Sequence, residues 1–441
     1  MEGKLAEAAR EFAAINTPAA KQLLEFANLR LHPDERLVAL ATNLSQPRLG
    51  PHPSQLLTDF RFTFISPETG MPRRTKAATP LIDWLQVWRG SGPPGSTIAA
   101  WRTHPDTPWL IAALTSVNQQ DSSVPELLAA ARKIDPRSPA FPSVAYYAAR
   151  LSNPSAARNW IARALTLKLN DSDYNRFLAA RFALARNFDE FLRDAPRKVS
   201  LSAIDGDPEP ISPNDSELRR FLNHKAFDQD SVDLWNTQVP LTKWLSAAQG
   251  TALPKNLRTD LARTGWVRSV VANHPEDARA FLELWRQLHP TAAQPALAYL
   301  SSPNGFTAAQ ILLHNPGFSP LLLGGFGRLT KPNARAIFRD NWWCPLAKPE
   351  QPLKVPAYLP PPDLLVTKRA ASHFIPTEIV SYAKAHPDDP AIPELLARSL
   401  DVAHYSSCQV PTDPTPTRQA FELLKLRYPN TKWAKQTKYW Y

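Results

Sequence analysis

Proline sets the strictest limit on what this chain can fold into. There are 45 prolines in 441 residues, about twice the usual share, against 14 glycines, about half of it. A residue that fixes φ and lacks a backbone N–H is excluded from helix interiors and central strands, but it fits a helix's first turn or ends one. Here the prolines separate runs of about 10–15 residues rich in Ala, Leu and Arg. Within those runs, Leu127, Leu128, Ala131 and Ile134 fall at helical spacing, as do Trp160, Ala164 and Leu167, and Phe177, Ala180, Arg181 and Leu184. Each set gives one apolar stripe on an otherwise polar helix, and such a stripe needs a partner to cover it. The prolines therefore read as punctuation between packed helices.

The joints recur. Asp135-Pro136-Arg137-Ser138, His274-Pro275-Glu276-Asp277, His386-Pro387-Asp388-Asp389 and Tyr428-Pro429-Asn430-Thr431 each place Pro and then a helix-capping residue between two helical runs. Ahead of five prolines stand apolar pairs three residues apart: Leu128 and Ala131, Val267 and Val270, Leu282 and Trp285, Ile379 and Tyr382, and Phe421 and Leu424. This step resembles the second helix of a tetratricopeptide repeat, although the regular spacing of such repeats is absent. The fold expected is all-α, an irregular tetratricopeptide-like helical-repeat solenoid. A minor strand and loop insertion is expected near 57–100, because Phe60-Arg61-Phe62-Thr63-Phe64 alternates apolar and polar and precedes a turn-like Ser66-Pro67-Glu68-Thr69-Gly70. Pro-rich segments at Arg197–Pro213 and Lys348–Pro362 read as linkers. They separate N-terminal helices with the insertion (1–100), a helical-repeat region (101–200), a central helical region (214–347) and a C-terminal cap (363–441).

Composition narrows the function classes. Hydrophobic residues at 43% and charged residues at 21% exclude wholesale disorder. Two cysteines make neither a disulfide-rich scaffold nor a four-thiolate zinc site. The first ten residues read as a charged amphipathic helix rather than a secretory signal, and no apolar run is long enough for a membrane-spanning helix.

Ten histidines raise the question of acid–base or metal chemistry, but six of them, His32, His52, His104, His274, His289 and His386, directly precede Pro. A residue before Pro is pushed out of the helical region, so these histidines read as helix ends. No His-Glu-x-x-His motif occurs, and no metal site or cofactor is expected. The string Gly90 to Thr97 has the glycine spacing of a phosphate-binding loop, yet Ser96 stands where the lysine belongs and Pro93-Pro94 removes two donors. Ser381-Tyr382-Ala383-Lys384 matches Ser-x-x-Lys without its companion motifs. No catalytic constellation emerges.

The net charge of +11 admits an anionic partner. Most basic residues are spread singly along helices; the densest cluster is Lys425, Arg427, Lys432, Lys435 and Lys438, interleaved with Tyr428, Trp433, Tyr439, Trp440 and Tyr441. Cation–aromatic interleaving can stack on bases or sugars, but Tyr428 and Trp433 are better explained as packing that caps a repeat array. A second unusual string is Arg339-Asp340-Asn341-Trp342-Trp343-Cys344-Pro345. Adjacent tryptophans cannot share one helix face, so the string reads either as a binding surface or as a plug between helical layers.

Arg339 to Leu346, the run from His386-Pro387-Asp388-Asp389-Pro390 through Pro393-Glu394 to His404-Tyr405-Ser406-Ser407-Cys408, and the ending from Arg427 to Trp440 resemble a family of uncharacterised bacterial proteins with tetratricopeptide-like helices. The resemblance covers about 260–441 and carries no activity. Its members are exported, with a signal segment and further helices upstream; the resemblance therefore implies a periplasmic or exported protein and a missing N-terminal portion, whereas the chain as written reads as cytoplasmic. Given export, Cys344 and Cys408 are expected to pair as a disulfide; otherwise they are expected as unpaired thiols. The function expected is a non-catalytic helical-repeat scaffold that binds a peptide or protein partner on a concave surface. Its candidate surface is Arg339, Asp340, Trp342, Trp343 and Trp433. The alternative is a cell-envelope protein that binds or processes glycan in an aromatic cleft; nucleic acid is the least favoured partner.

Overall fold

A computed structural model describes residues 4–46, 48–65, 79–88, 95–198, 224–324, 358–359, 371–405 and 414–440. About 71% of these are helical, and the single sheet among them has two short strands, so the protein is all-α. The chain divides into two compact units, 1–167 and 168–441.

The first unit comprises α1 (Leu5–Ala14), α2 (Pro18–Leu31), α3 (Pro33–Leu44), α4 (Pro53–Phe64), α5 (Pro80–Trp88), α6 (Ser96–Thr103), α7 (Thr107–Ser116), α8 (Val124–Arg132), α9 (Phe141–Leu151) and α10 (Pro154–Leu165). Proline opens α2, α3, α4, α5 and α10, where its missing N–H costs nothing. Thr17 and Asn153 cap α2 and α10 by accepting from the N–H groups of Ala20 and Ala156. Leu37, Leu40 and Ala41 of α3 meet Phe60 and Phe64 of α4 and Ile82 of α5 in one buried cluster. The strand expected at Phe60–Phe64 is therefore helix. The apolar alternation also satisfies a four-residue step: Phe60 and Phe64 stack at 5.7 Å on one face, while Phe62 is left 71% exposed.

The second unit comprises α11 (Asp171–Phe182), α12 (Phe188–Asp194), β1 (Pro196–Lys198), β2 (Lys225–Phe227), α13 (Gln229–Thr237), α14 (Leu241–Gln249), α15 (Lys255–Val271), α16 (Pro275–Leu288), α17 (Pro290–Ala293), α18 (Ala298–Ser301), α19 (Gly305–His314), α20 (Ala371–Ala385), α21 (Ile392–Tyr405), α22 (Thr415–Arg427) and α23 (Lys432–Gln436). One core runs through it from Phe182 to Ala434 around Trp235, Trp244, Trp266 and Trp285, all fully buried. Trp266 contacts Trp285, Tyr299 and Phe318, each at 6.0 Å between ring centroids. Gly265 is what lets α15 and α16 close, since the Phe281 ring occupies the space that a side chain there would need.

The segment read as a linker from Arg197 begins instead as a buried strand. β1 and β2 pair antiparallel, Arg197 opposite Ala226, and Arg197 is 3% exposed. Its guanidinium lies 5.4 Å from the Phe182 ring and bonds Asp230 at 3.1 Å. Burial pushes the Arg197 pKa down and the Asp230 pKa up. Beside them, fully buried Asp194 accepts paired bonds from both Arg181 and Arg193. In the second expected linker, Tyr358 and Leu359 pack on the core of this unit.

Part of the positive charge is structural. Arg150 donates to the carbonyls of Leu114, Thr115 and Val117 at the end of α7. Arg258 does the same for Ala248 and Gln249 at the end of α14, and Arg268 for Trp235 and Asn236 at the end of α13. Carbonyls at a helix C-terminus have no intrahelical donor, so a guanidinium from another helix both satisfies them and suits the dipole.

Candidate functional site

The joint pattern read from the sequence places its apolar pairs inward. Ala131, Val267, Val270, Leu282, Trp285, Ile379 and Leu424 are buried, and Leu128, Tyr382 and Phe421 are half-buried. The six His-Pro histidines all stand at helix boundaries: His32, His52, His274 and His289 precede α3, α4, α16 and α17, and His104 and His386 follow α6 and α20. His289 alone caps through its ring, Nδ1 accepting from the Ala292 N–H at 3.2 Å.

Of the expected surface, Arg339, Asp340, Trp342 and Trp343 lie outside the described residues, as do Cys344 and Cys408. Trp433 is half-buried against the core of the second unit, with the Lys432 ammonium 4.8 Å and the Arg398 guanidinium 5.9 Å from its ring. Tyr428 donates from its hydroxyl to the Pro387 carbonyl at 2.7 Å, and burial holds its pKa above the ordinary tyrosine value. Both aromatics thus hold the C-terminal helices together.

One concavity among the described residues lies in the first unit. α2, α3, α4 and the turn at 50–52 enclose a groove of about 810 Å³. Leu40 and Leu56, which also pack into the unit's core, supply its apolar base. Phe26 forms an apolar wall and is 54% exposed, with the Arg30 guanidinium 4.6 Å from its ring centre. Charges of both signs line the rest: Arg36 approaches Glu25 at 3.7 Å, and Asp59 accepts from Gln55 at 2.6 Å. The Arg36 Nε is buried and makes no hydrogen bond among the described residues. On the same helices, Leu23 and Leu57 are exposed as well.

These residues escaped sequence reading, yet α2 carried a signal. Ala20 and Ala27 are buried and Leu24 and Leu31 half-buried along one face, at four-, three- and four-residue steps; Leu23 and Phe26 fall off that stripe. A helix with apolar residues beyond the stripe its own core needs has a second face to cover. Among the described residues, no three His, Cys, Asp or Glu side chains are grouped to hold a metal ion, and no helix is long and apolar enough to cross a membrane. In comparisons with known proteins, no family model matches the chain, and neither does any curated protein or solved structure.

Proposed function

We propose that this chain is a non-catalytic helical scaffold whose N-terminal groove holds a short segment of a partner protein. The observation that carries the reading is the exposed apolar wall of the groove at Phe26. An exposed apolar side chain in the wall of a concavity gains free energy when covered, at about 25 cal/mol per Å² of apolar surface removed from water. The wall also bears Glu25, Arg36 and Asp59, a mixed lining that suits the amide and charged groups of a peptide better than a purely apolar ligand. The proline joints and their inward apolar pairs support the finer reading of an irregular tetratricopeptide-like array, and with it the resemblance to exported helical-repeat proteins.

The glycan alternative has less support, since cations flank the ring of Trp433 and its body is packed against neighbouring helices. Selecting peptides from a random library on the intact protein tests the proposal. Enriched peptides are expected to bind at least tenfold more weakly to a Phe26→Asp variant of unchanged melting temperature. Enrichment of no peptide, or of peptides that bind the variant equally well, contradicts it.

A further inference from the structure

We propose that the C-terminal surface built from α22 and the residues after it docks an acidic, apolar-bearing segment of a second protein, independently of the N-terminal groove. Two contacts define this surface. Lys425 donates from Nζ to the Ala434 carbonyl at 2.7 Å, and the Trp440 indole N–H donates to Thr417 Oγ1 at 3.2 Å. As the chain advances from 434 to 440 its contacts move back along α22 from 425 to 417, so the tail runs antiparallel to the helix. The eight-residue interval is about 12 Å of helix. Thr431 caps α23 and Ala434 is buried, so the tail is anchored.

Anchoring fixes the charges. Arg427, Lys432, Lys435 and Lys438 are exposed, and none forms an ion pair among the described residues. Of the nearby acids, Glu422 takes Arg418 at 2.9 Å, Glu394 takes Arg398 at 2.8 Å, and Asp389 accepts from the Tyr382 hydroxyl at 3.0 Å; Asp388, whose charge reaches Tyr428, offsets part of the positive field. Lys425 is engaged with the Ala434 carbonyl. Four cations on one anchored segment, with no acidic partners, make a positive field that attracts an anionic partner.

The exposed apolar groups decide which anionic partner fits. Leu426 is 81% exposed, Tyr439 65% and Trp440 40%. Single exposed ion pairs contribute little, so affinity at such a surface needs apolar contacts beside the acids. An exposed aliphatic side chain directly before Arg427 suits leucine or phenylalanine from a peptide. A single-stranded nucleic acid, which gains from stacking on flat rings, makes poorer use of Leu426.

The test is the fluorescence anisotropy of a labelled peptide of alternating glutamate and leucine titrated with the full chain. Binding is expected to weaken as salt rises through the physiological range, because the charges are exposed. A Lys432→Glu/Lys435→Glu/Lys438→Glu variant is expected to lose at least tenfold in affinity, and Leu426→Ala several-fold, while Lys133→Glu and Phe26→Asp change nothing. A neutral Lys435→Gln/Lys438→Gln variant of unchanged circular dichroism is expected to fall between wild type and charge reversal, which separates lost contacts from lost folding. No binding by the wild type, equal binding by the charge-reversed variant, or a polythymidylate oligomer binding as tightly as the peptide overturns the proposal. Loss of this binding in Phe26→Asp overturns the independence of the two surfaces.

Discussion

The Tyr428 hydroxyl donates to the Pro387 carbonyl oxygen at 2.7 Å, tying the joint after α22 to the joint after α20. These two joints are thus bonded to one another as well as marking where helices stop. Tyr428→Phe removes the bond and leaves the Pro387 carbonyl to water. It is expected to cost about 1 kcal/mol, read as a lower urea midpoint with an unchanged slope.

Gly265 is required where α15 meets α16. Gly265→Ala drives a methyl into the Phe281 ring and is expected to destabilise by about 1–3 kcal/mol, although alanine is the better helix former. Combining it with Phe281→Leu is expected to recover part of the loss, giving a non-additive double-mutant cycle. An additive cycle means that the ring is not what opposes the methyl.

The six histidines before proline are not equivalent. His289 caps α17 through its ring, whereas His52 at the start of α4 makes no such bond. His289→Ala is expected to cost about 1 kcal/mol in thermal or chemical denaturation, and His52→Ala less than about 0.5 kcal/mol.

Alkaline pH tests the packing of a segment that read as a linker. Burial, with the Glu190 charge adding to it, pushes the Tyr358 pKa up to about 12. A raised tyrosine pKa contributes stability that is complete below the unfolded value of about 10 and is lost as pH climbs toward the folded value. Between about pH 9 and about pH 11 the wild type is expected to lose more stability than Tyr358→Phe, measured as the fall in urea midpoint.

Helices were legible wherever proline stood at an edge and one apolar stripe followed, as in α10 with Trp160 and Ala164 buried. The Phe60–Phe64 run misled because residues four apart satisfy both a strand's alternation and a helix's face, and only Leu37, Leu40 and Ile82 opposite decide between them. The ladder of Arg197 with Ala226 was invisible, since three-residue strands have no measurable period and their pairing partners are distant in sequence. Basic residues looked like solvated surface until Arg150, Arg258 and Arg268 were seen to close helix ends. The groove depends on which apolar side chains remain uncovered after packing, and a stripe count alone does not report that for Phe26.

Hydrogen exchange of the intact chain, with and without a peptide enriched by selection on it, tests the central claim most directly. A partner segment seated in the groove protects amides within 18–64, and Phe26→Asp abolishes that protection. Protection confined to residues outside 18–64, or protection that survives Phe26→Asp, would contradict the groove as the binding site.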